Sequence, residues 1–286
     1  MSFRTVVVKE RSKLDLKMNY LVCRNSKETK VFIPEISVLI LESTSISLTT
    51  ALLSELVKQN VKIIFCDEKH NPESELLPYY GRYNSSKRLK EQIEWKKCAK
   101  SIVWEKIIAN KIFQQASFLQ ELGKQKEADL LLSYIPEIIS NDASNREGHS
   151  AKVYFNALFG KDFARRDNAF TNSALNYGYA VVLACFNREI VKNGYATQLG
   201  IWHKNEFNAF NLASDMMEPF RVIVDRIVYN MKNRQNFKME VLDIFNWQIR
   251  IGGKKLYFEN AISAYCQSVF ACLEKKGKGE ISFYEL

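Results

Sequence analysis

Three side chains in the stretch 203–221 are of types that bind divalent cations. His203 supplies an imidazole, and Asp215 and Glu218 supply carboxylates that would share one face of a helix, because they lie three residues apart. Nitrogen and oxygen ligands of this kind hold a metal ion and leave coordination positions open for a substrate. The same residues also have purely structural interpretations. Asp215 and Glu218 fit a capping box that opens a helix, and His203 beside Trp202 fits a packed histidine.

A third carboxylate, Glu147, lies at the start of another amphipathic pattern. Ser144 and Glu147 form a second capping-box pattern, so Glu147 can either close a helix N-terminus or contribute to a site. Gly148 beside it removes a side chain where a ligand or another backbone would approach. His149, two positions after Glu147, points elsewhere and is expected to be a surface group or a neighbour of the site, not a ligand.

The positive charge of the chain is concentrated after the first eighty residues. The 286 residues include 41 Lys and Arg against 32 Asp and Glu, a net charge of +9. Residues 82–111 carry 9 basic and 3 acidic side chains, and residues 221–255 carry 8 and 3. These two regions indicate a polyanion such as DNA, although a solvated lysine-rich surface is the alternative for either one. The side chains singled out for phosphate contacts are Lys87, Arg88, Lys96 and Lys97.

The pattern of apolar residues predicts an α+β protein with two domains. Short β-branched runs such as SVLILE and VKIIFCDE predict a small β-rich N-terminal domain at 1–78, with one helix at about 47–58. Prolines and a glycine indicate a linker at 79–86 beside Tyr79, Tyr80 and Tyr83. Helical periodicity then predicts a larger all-helical domain at 87–286, which carries the candidate metal-binding and catalytic residues. Its predicted helices cover about 86–122, 127–139, 168–187, 215–231 and 258–273.

The remaining composition indicates a cytoplasmic protein that makes no contact with a membrane. The six cysteines lack paired C-x-x-C spacing, and three histidines provide no zinc pattern, so reduced thiols are expected. Charged residues interrupt the N-terminus where a signal peptide would need an apolar run. Residues 168–187 carry no charge, but their four asparagines indicate a buried helix and argue against a membrane span.

Four motifs together resemble a known family, CRISPR-associated protein 1, the integrase of spacer acquisition. The motifs are Glu147-Gly-x-x-Ala151-x-x-Tyr154, Asn172-x-x-Leu175-x-Tyr-Gly-Tyr179, Gly194…Gly200-Ile-Trp-His203 and Asp215-Met-Met-Glu218-Pro-Phe-Arg221…Asp225-Arg226. Their order matches that family, which also places a β-rich domain before a larger helical one, and the resemblance covers essentially the whole chain. Many members have aspartate where this chain has Glu218, and proline where it has Thr197. Both departures resemble the type II-A subset.

The resemblance implies a metal-dependent DNA integrase and endonuclease. Carried over by motif, the catalytic metal ligands are Glu147, His203 and Glu218, with Asp215 as a competitor or a partner behind them. This ligand set suits Mg²⁺ or Mn²⁺, and the imidazole nitrogen favours manganese. The implied reaction joins the 3′-hydroxyl ends of a new spacer DNA to the CRISPR repeat by transesterification, and with water as the nucleophile the site hydrolyses DNA.

The resemblance also implies the partners. Members form homodimers, and two homodimers flank a dimer of CRISPR-associated protein 2 in a heterohexamer that binds double-stranded DNA with single-stranded 3′ ends. The type II-A subset adds other adaptation proteins as partners. Arg221 and Arg226 are expected to bind DNA nearest the metal.

Two other functions compete with this interpretation. One is a non-catalytic DNA-binding helical protein of the same complex, in which the carboxylates cap helices and His203 packs in a core. The other is a non-haem iron oxygenase that uses His149, His203 and one carboxylate. It is disfavoured, because His149 lies at a helix start beside Glu147.

Overall fold

The computed structural model describes residues 4–76, 78, 84–139, 142–166 and 170–285. Two compact units form the chain. One comprises Met1–Gly81 with the short segment Ile244–Trp247, and the other comprises Arg82–Asp243 with Gln248–Leu286. The predicted boundaries at 78 and 86 stay a prediction, and the predicted linker and its tyrosines lie mostly outside the described residues.

The N-terminal unit contains two sheets of four strands within its described residues. Its strands are β1 (Arg4–Val8), β2 (Ser12–Lys17), β3 (Tyr20–Arg24), β4 (Glu28–Phe32), β5 (Ile36–Leu41), β6 (Ile46–Leu48), β7 (Lys62–Cys66) and β8 (Pro72–Leu76), with one helix, α1 (Thr50–Lys58). One sheet has the order β1-β5-β7-β8, and the other has the order β4-β3-β2-β6. Every residue of β5 is buried, because β5 lies between β1 and β7 in the centre of its sheet.

The predicted strands are present, but three further strands were missed. Ser12–Lys17 has the sequence SKLDLK, in which polar residues alternate with Leu14 and Leu16, and Leu14 is fully buried. Pro72–Leu76 is largely polar. Neither segment has the apolar run that predicts a strand. The third, Ile46–Leu48, pairs in parallel with β2, so α1 begins later than expected. The N-terminus of α1 is capped by Thr49, whose hydroxyl accepts a hydrogen bond from the N–H of Leu52 at 3.3 Å.

The C-terminal unit is mostly helical. Its helices are α2 (Ser85–Ile93), α3 (Lys97–Glu121), α4 (Gln125–Tyr134), α5 (Arg146–Phe159), α6 (Phe170–Lys192), α7 (Asn211–Met216), α8 (Arg221–Tyr229), α9 (Phe237–Leu242) and α10 (Phe258–Glu274). The single helix expected over 86–122 is two helices. Lys96 adopts an extended conformation between them, and Trp95 buries its ring against Tyr195 at 5.3 Å between ring centroids. Packing of this aromatic side chain therefore outweighs helical continuity.

Helices α6 and α8 pack closely at a glycine. A Cβ atom built on Gly178 would lie 2.4 Å from Cγ1 of Val224. This distance is shorter than real contacts allow, so the glycine permits the approach of the two helices.

A small sheet in the C-terminal unit was not expected from the sequence. Strands β9 (Gln248–Ile251) and β10 (Lys254–Tyr257) form a hairpin, and β11 (Tyr284–Glu285) pairs with the other edge of β9. Gly252 and Gly253 both have positive φ, as a two-residue hairpin turn requires. The α+β class is confirmed, with a C-terminal unit that is mostly rather than entirely helical.

The six cysteines are free thiols. No helix in the described ranges has the length and apolar character needed to cross a bilayer.

Candidate active site

The centre of the candidate site is a buried lysine of α3. The Lys111 side chain is 9% exposed, and its ammonium donates hydrogen bonds to Oε1 of Glu147 at 2.7 Å and to Oε2 of Glu218 at 2.5 Å. Burial alone would lower the pKa of Lys111, but Glu218 and Glu147 raise it above its ordinary value. Two carboxylates that are distant in the sequence therefore converge on one cationic nitrogen.

Glu147 is free to face Lys111 because a different carboxylate caps its helix. Both oxygens of Asp142 are used, one accepting the N–H of Arg146 at 2.8 Å and the other that of Glu147 at 3.0 Å. The capping box predicted for Ser144 and Glu147 is therefore wrong. The acceptor lies in the preceding turn, and the side chain of Glu147 is left for other contacts.

Glu218 lies on a 3₁₀ turn, Glu218–Phe220, between α7 and α8. Its side chain is 5% exposed and also accepts a hydrogen bond from Nε of Arg221 at 2.8 Å. Burial would raise the pKa of this carboxyl, but Arg221 and Lys111 outweigh burial and lower the pKa to about 2. Glu218 is therefore ionised at neutral pH.

Asp215 is fully buried and organises the loop that carries His203. Its carboxylate accepts the backbone N–H groups of Ile201 at 2.6 Å, Trp202 at 2.9 Å and His203 at 3.1 Å. Helix α7 begins at Asn211, so Asp215 lies inside a helix. The capping box predicted for Asp215 and Glu218 is thus also wrong. The carboxylate of Asp215 binds a separate loop instead of its own helix N-terminus.

The imidazole of His203 is oriented by the same carboxylate. Its Nδ1 lies 2.5 Å from Oδ1 of Asp215. Because an ionised carboxylate only accepts hydrogen bonds, the neutral ring carries its proton at Nδ1, which leaves the lone pair of Nε2 for a ligand. This hydrogen bond raises the pKa of His203 despite partial burial, and the charges of Glu218 and Glu147 act in the same direction. Asp215 thus fixes the orientation of the His203 ring.

Gly200 allows this loop to fold. A Cβ atom at Gly200 would lie 2.4 Å from the backbone oxygen of His203 and 2.8 Å from Oδ2 of Asp215. Neither backbone nor a carboxylate bound by three N–H groups can yield easily, so the position requires glycine.

The donor set fits a hard divalent cation. Two carboxylates and one imidazole are ligands for Mg²⁺ or Mn²⁺, and the ammonium between the carboxylates marks a position where positive charge is stabilised. Within the described ranges, no three His, Cys, Asp or Glu side chains are already arranged as a metal site. The lack of a preformed three-ligand arrangement in these ranges agrees with the position of the Lys111 ammonium, which lies between the two glutamates.

The two arginines predicted to contact DNA near the metal have internal partners. Arg221 pairs with Glu218, and its guanidinium lies 4.8 Å from the centre of the Tyr179 ring. Arg226 is buried. It forms a two-pronged ion pair with Glu121 and lies over the ring of Phe118. These contacts give Arg226 a structural role, and its DNA contact stays a prediction.

Three of the four remaining basic side chains face solvent. Lys87 on α2 is 74% exposed, and Lys96 and Lys97, before and at the start of α3, are exposed. Lys87 forms a loose ion pair with Glu91 at 3.8 Å. Arg88 is different, because its side chain is largely buried, pairs with both Glu91 and Glu274 and lies against the Tyr195 ring. Lys87, Lys96 and Lys97 are therefore the members of the predicted set that are open to a phosphate backbone.

His149 lies on the exposed side of α5. Its Nδ1 is 3.4 Å from Nη1 of Arg146, and its ring lies beside Tyr134. This placement agrees with the predicted surface role. It removes the geometric basis for an iron site built from His149 and His203.

Lys111 and Asp142 were missed from the sequence, but Lys111 carries a detectable signal. It follows Ile107 and Ile108 at helical spacing on the buried face of α3 and precedes Ile112. A lysine on an apolar face requires a buried anionic partner. The signal for Asp142 is weaker, since several polar residues of 140–146 could cap the same helix.

Asp225 on α8 provides a test of the electrostatics behind the site. Burial raises the pKa of its carboxyl to about 6, although the 2.5 Å hydrogen bond from Tyr179 opposes the rise. A carboxyl with a raised folded-state pKa stabilises the protein below its unfolded-state pKa, and this contribution is lost as the pH rises through about 6. This carboxyl should stabilise the wild-type protein as the pH falls from 7 to 5, and we expect Asp225→Asn to reduce that gain in unfolding free energy by about 1 kcal/mol. Urea unfolding of wild type and of Asp225→Asn between pH 5 and pH 7 measures the difference. Equal changes of unfolding free energy with pH in the two proteins would contradict the prediction.

A comparison of the sequence with models of known protein families identifies the family of this chain. The family model described as CRISPR associated protein Cas1 matches residues 5–250.

The chain belongs to the Cas1 family.

Curated Cas1 relatives agree with this assignment. The CRISPR-associated endonuclease Cas1 of Neisseria meningitidis serogroup C (strain 8013) is 33% identical over 276 residues, which cover 96% of this chain and 90% of that protein. A CRISPR-associated endonuclease Cas1 of Francisella tularensis subsp. novicida is 26% identical and covers 87% of this chain and 89% of its own. The resemblance to CRISPR-associated protein 1 is confirmed, and the type II-A subset stays a prediction.

Solved structures show the same fold. A casposase bound to its integration product superposes with a TM-score of 0.78 at 20% identity, covering 97% of this chain and 92% of its own. A Cas1 protein from Thermotoga maritima has a TM-score of 0.71 at 16% identity, covering 99% and 100%. A chain of a Cas6-RT-Cas1–Cas2 complex has a TM-score of 0.76 at 15% identity, covering 99% of this chain and 36% of its own.

Proposed function

We propose that this Cas1 protein is a metal-dependent DNA endonuclease and integrase of CRISPR spacer acquisition, which joins the 3′-hydroxyl ends of a spacer DNA to the CRISPR repeat by transesterification. The observation that carries the proposal is the convergence of Glu147 and Glu218 on one cationic position, while the contact with Asp215 orients His203. The names of the Cas1 relatives and of the casposase support the reaction class.

Glu147, His203 and Glu218 would hold Mg²⁺ or Mn²⁺, which when bound supplies a Lewis acid that polarises the phosphate and lowers the pKa of the attacking hydroxyl. The chain's own residues prepare this site. Asp215 keeps the proton of His203 at Nδ1, so that Nε2 remains available. Arg221 neutralises part of the charge of Glu218.

The proposed partners are DNA and Cas2. We propose that homodimers flank a Cas2 dimer in a heterohexamer in the cytoplasm, and that double-stranded DNA with single-stranded 3′ ends lies on the complex. The fold shared with a chain of a complex named for Cas1 and Cas2 supports the Cas2 partnership. Lys87, Lys96 and Lys97 are exposed and would contact phosphates without reading sequence.

The test is strand transfer of a short duplex with 3′ single-stranded ends into a supercoiled plasmid that carries the repeat. Cas2 and Mg²⁺ or Mn²⁺ are present. Glu147→Ala and His203→Ala are expected to lose product while DNA binding persists, because the basic residues supply the affinity. Full activity in both variants would contradict the metal-site assignment, whereas wild-type protein that binds the duplex but gives no product would favour a non-catalytic DNA-binding protein.

An exposed aromatic side chain in the His203 loop is proposed to stack on an unpaired base. Phe207 is 88% exposed, and Trp202 in the same loop stacks on Trp104 with centroids 5.9 Å apart. Because stacking of one base contributes about 1–3 kcal/mol, Phe207→Ala should weaken binding of a 3′-tailed duplex by about 5- to 100-fold.

Fluorescence anisotropy with tailed and blunt duplexes measures this effect. Affinity for the blunt duplex should stay unchanged, and Leu130→Ala, which truncates an exposed apolar side chain on α4, serves as the control. An equal loss for both duplexes, or no loss for the tailed one, would refute the stacking role.

A further inference from the structure

Lys111 is an unusual residue to find between two carboxylates that the proposed function treats as metal ligands. It lies on the face of α3 that also carries Ile107, Ile108 and Ile112, each fully buried. Burial of an ammonium group is expensive unless anionic partners compensate for it. Glu147 and Glu218 provide that compensation at 2.7 and 2.5 Å.

The carboxylates depend on Lys111 in return. Oε2 of Glu218 accepts from Lys111, while Oε1 accepts from Arg221, so cations bind both oxygens. Glu147 has Lys111 as a cationic partner, and its side chain is 27% exposed. Without the ammonium, two negative charges would face each other across a largely buried space and repel.

We propose that Lys111 is a built-in counter-cation: it holds Glu147 and Glu218 together in the metal-free protein and competes with the divalent cation for the same position. The inference rests on the proposed function, because it takes both glutamates as metal ligands. The ammonium stays protonated throughout. Metal binding breaks its two ion pairs and exchanges one cation for another.

The competition has two opposite consequences for a variant that lacks the charge. Lys111→Met keeps most of the length of the side chain and suits the apolar face of α3. The metal-free variant should be less stable, because the carboxylates lose their shared partner. Its affinity for a divalent cation should be higher, because no ion pair has to be broken and the added charge relieves repulsion between the carboxylates.

The experiment measures Mn²⁺ binding by isothermal titration calorimetry and thermal unfolding in EDTA and in Mn²⁺. Lys111→Met is expected to bind Mn²⁺ about 10-fold or more tightly than wild type, to unfold at a lower temperature in EDTA and to gain more from Mn²⁺. Lys111→Arg keeps the charge and should not gain affinity. Lys106→Met is the matched control on the same helix, because the Lys106 ammonium binds the carbonyl of Gly279, not a carboxylate.

A measurement on the wild-type protein covers the case in which Lys111→Met does not fold. Displacement of the ammonium should make Lys111 react faster with an amine-specific acylating reagent when Mn²⁺ is present, as followed by mass spectrometry, whereas Lys106 should keep its rate. Unchanged labelling of Lys111, or unchanged Mn²⁺ affinity in folded Lys111→Met, would overturn the inference and leave the metal site standing. Failure of folded wild-type protein to bind Mn²⁺ would overturn the metal assignment and the inference together.

Discussion

Glu218→Gln is expected to abolish metal-dependent strand transfer, with a loss of at least about 100-fold. Changes to residues behind a metal ligand already cost about 10- to 100-fold, and Glu218 is proposed as a ligand itself. Glutamine keeps the shape of the side chain but removes the charge that Lys111 and Arg221 hold in the ionised form. The amide NH₂ of glutamine is a hydrogen-bond donor. It would face Lys111 or Arg221, which are donors themselves, so one of the two present hydrogen bonds would be lost.

Two measurements separate loss of chemistry from loss of structure. Strand transfer gives the activity, and anisotropy with the same duplex should give DNA affinity close to wild type, because basic residues supply it. Urea unfolding should show a loss of about 3 kcal/mol, because the buried Lys111 and the partly buried Arg221 lose part of their compensation. Glu94→Gln, at an exposed position after α2, is the control. Strand transfer at wild-type rates in Glu218→Gln would rule out Glu218 as a ligand.

Asp215→Ala is expected to cause the largest loss of stability among these variants, about 3–5 kcal/mol. The substitution leaves three backbone N–H groups at 201–203 without their acceptor, and each unsatisfied buried donor costs about 1–3 kcal/mol. It also removes the group that orients His203. Mn²⁺ affinity should therefore fall by about 10- to 100-fold, even though Asp215 is not proposed as a ligand.

Urea unfolding and Mn²⁺ titration test this expectation together. Asp129→Ala removes an exposed carboxylate of α4 that accepts from Gln125, and it should change neither quantity appreciably. Unchanged Mn²⁺ affinity in folded Asp215→Ala would show that His203 does not need its partner. That outcome would also weaken the assignment of Nε2 as a metal-binding atom.

The sequence predicts the parts of the fold in which side-chain pattern and burial agree. Ile36–Leu41 is apolar except for Ser37 and lies inside its sheet between β1 and β7, so its prediction is confirmed. Ser12–Lys17 alternates polar and apolar residues, and its strand character depends on pairing with β3 across a hairpin and with β6, which is distant in sequence. Tyr284, which donates a hydrogen bond to the carbonyl of Pro219, likewise gains its strand position from tertiary contacts.

The motifs identify the three proposed ligands, but not the residues that hold them in place. Both capping boxes were wrong for one reason: the carboxylate that accepts an N–H group depends on loop conformation. Asn145 in the left-handed region brings Asp142 to the start of α5, and Gly200 lets the loop of His203 close onto Asp215. Neither conformation can be read from local spacing. Lys111 belongs to the basic region 82–111, and charge alone does not distinguish a buried lysine from the exposed ones around it.

The close approach of α6 and α8 at Gly178 limits how this scaffold can vary. Arg221 begins α8 and Glu218 lies in the turn just before it, so the separation between α8 and α6 affects the positions of both side chains relative to Lys111. One added methyl group at position 178 would push against Val224 and lift that whole end of the helix. The distances between Glu218, Arg221 and Lys111 therefore depend on the lack of a side chain at Gly178, although α6 carries none of these three residues.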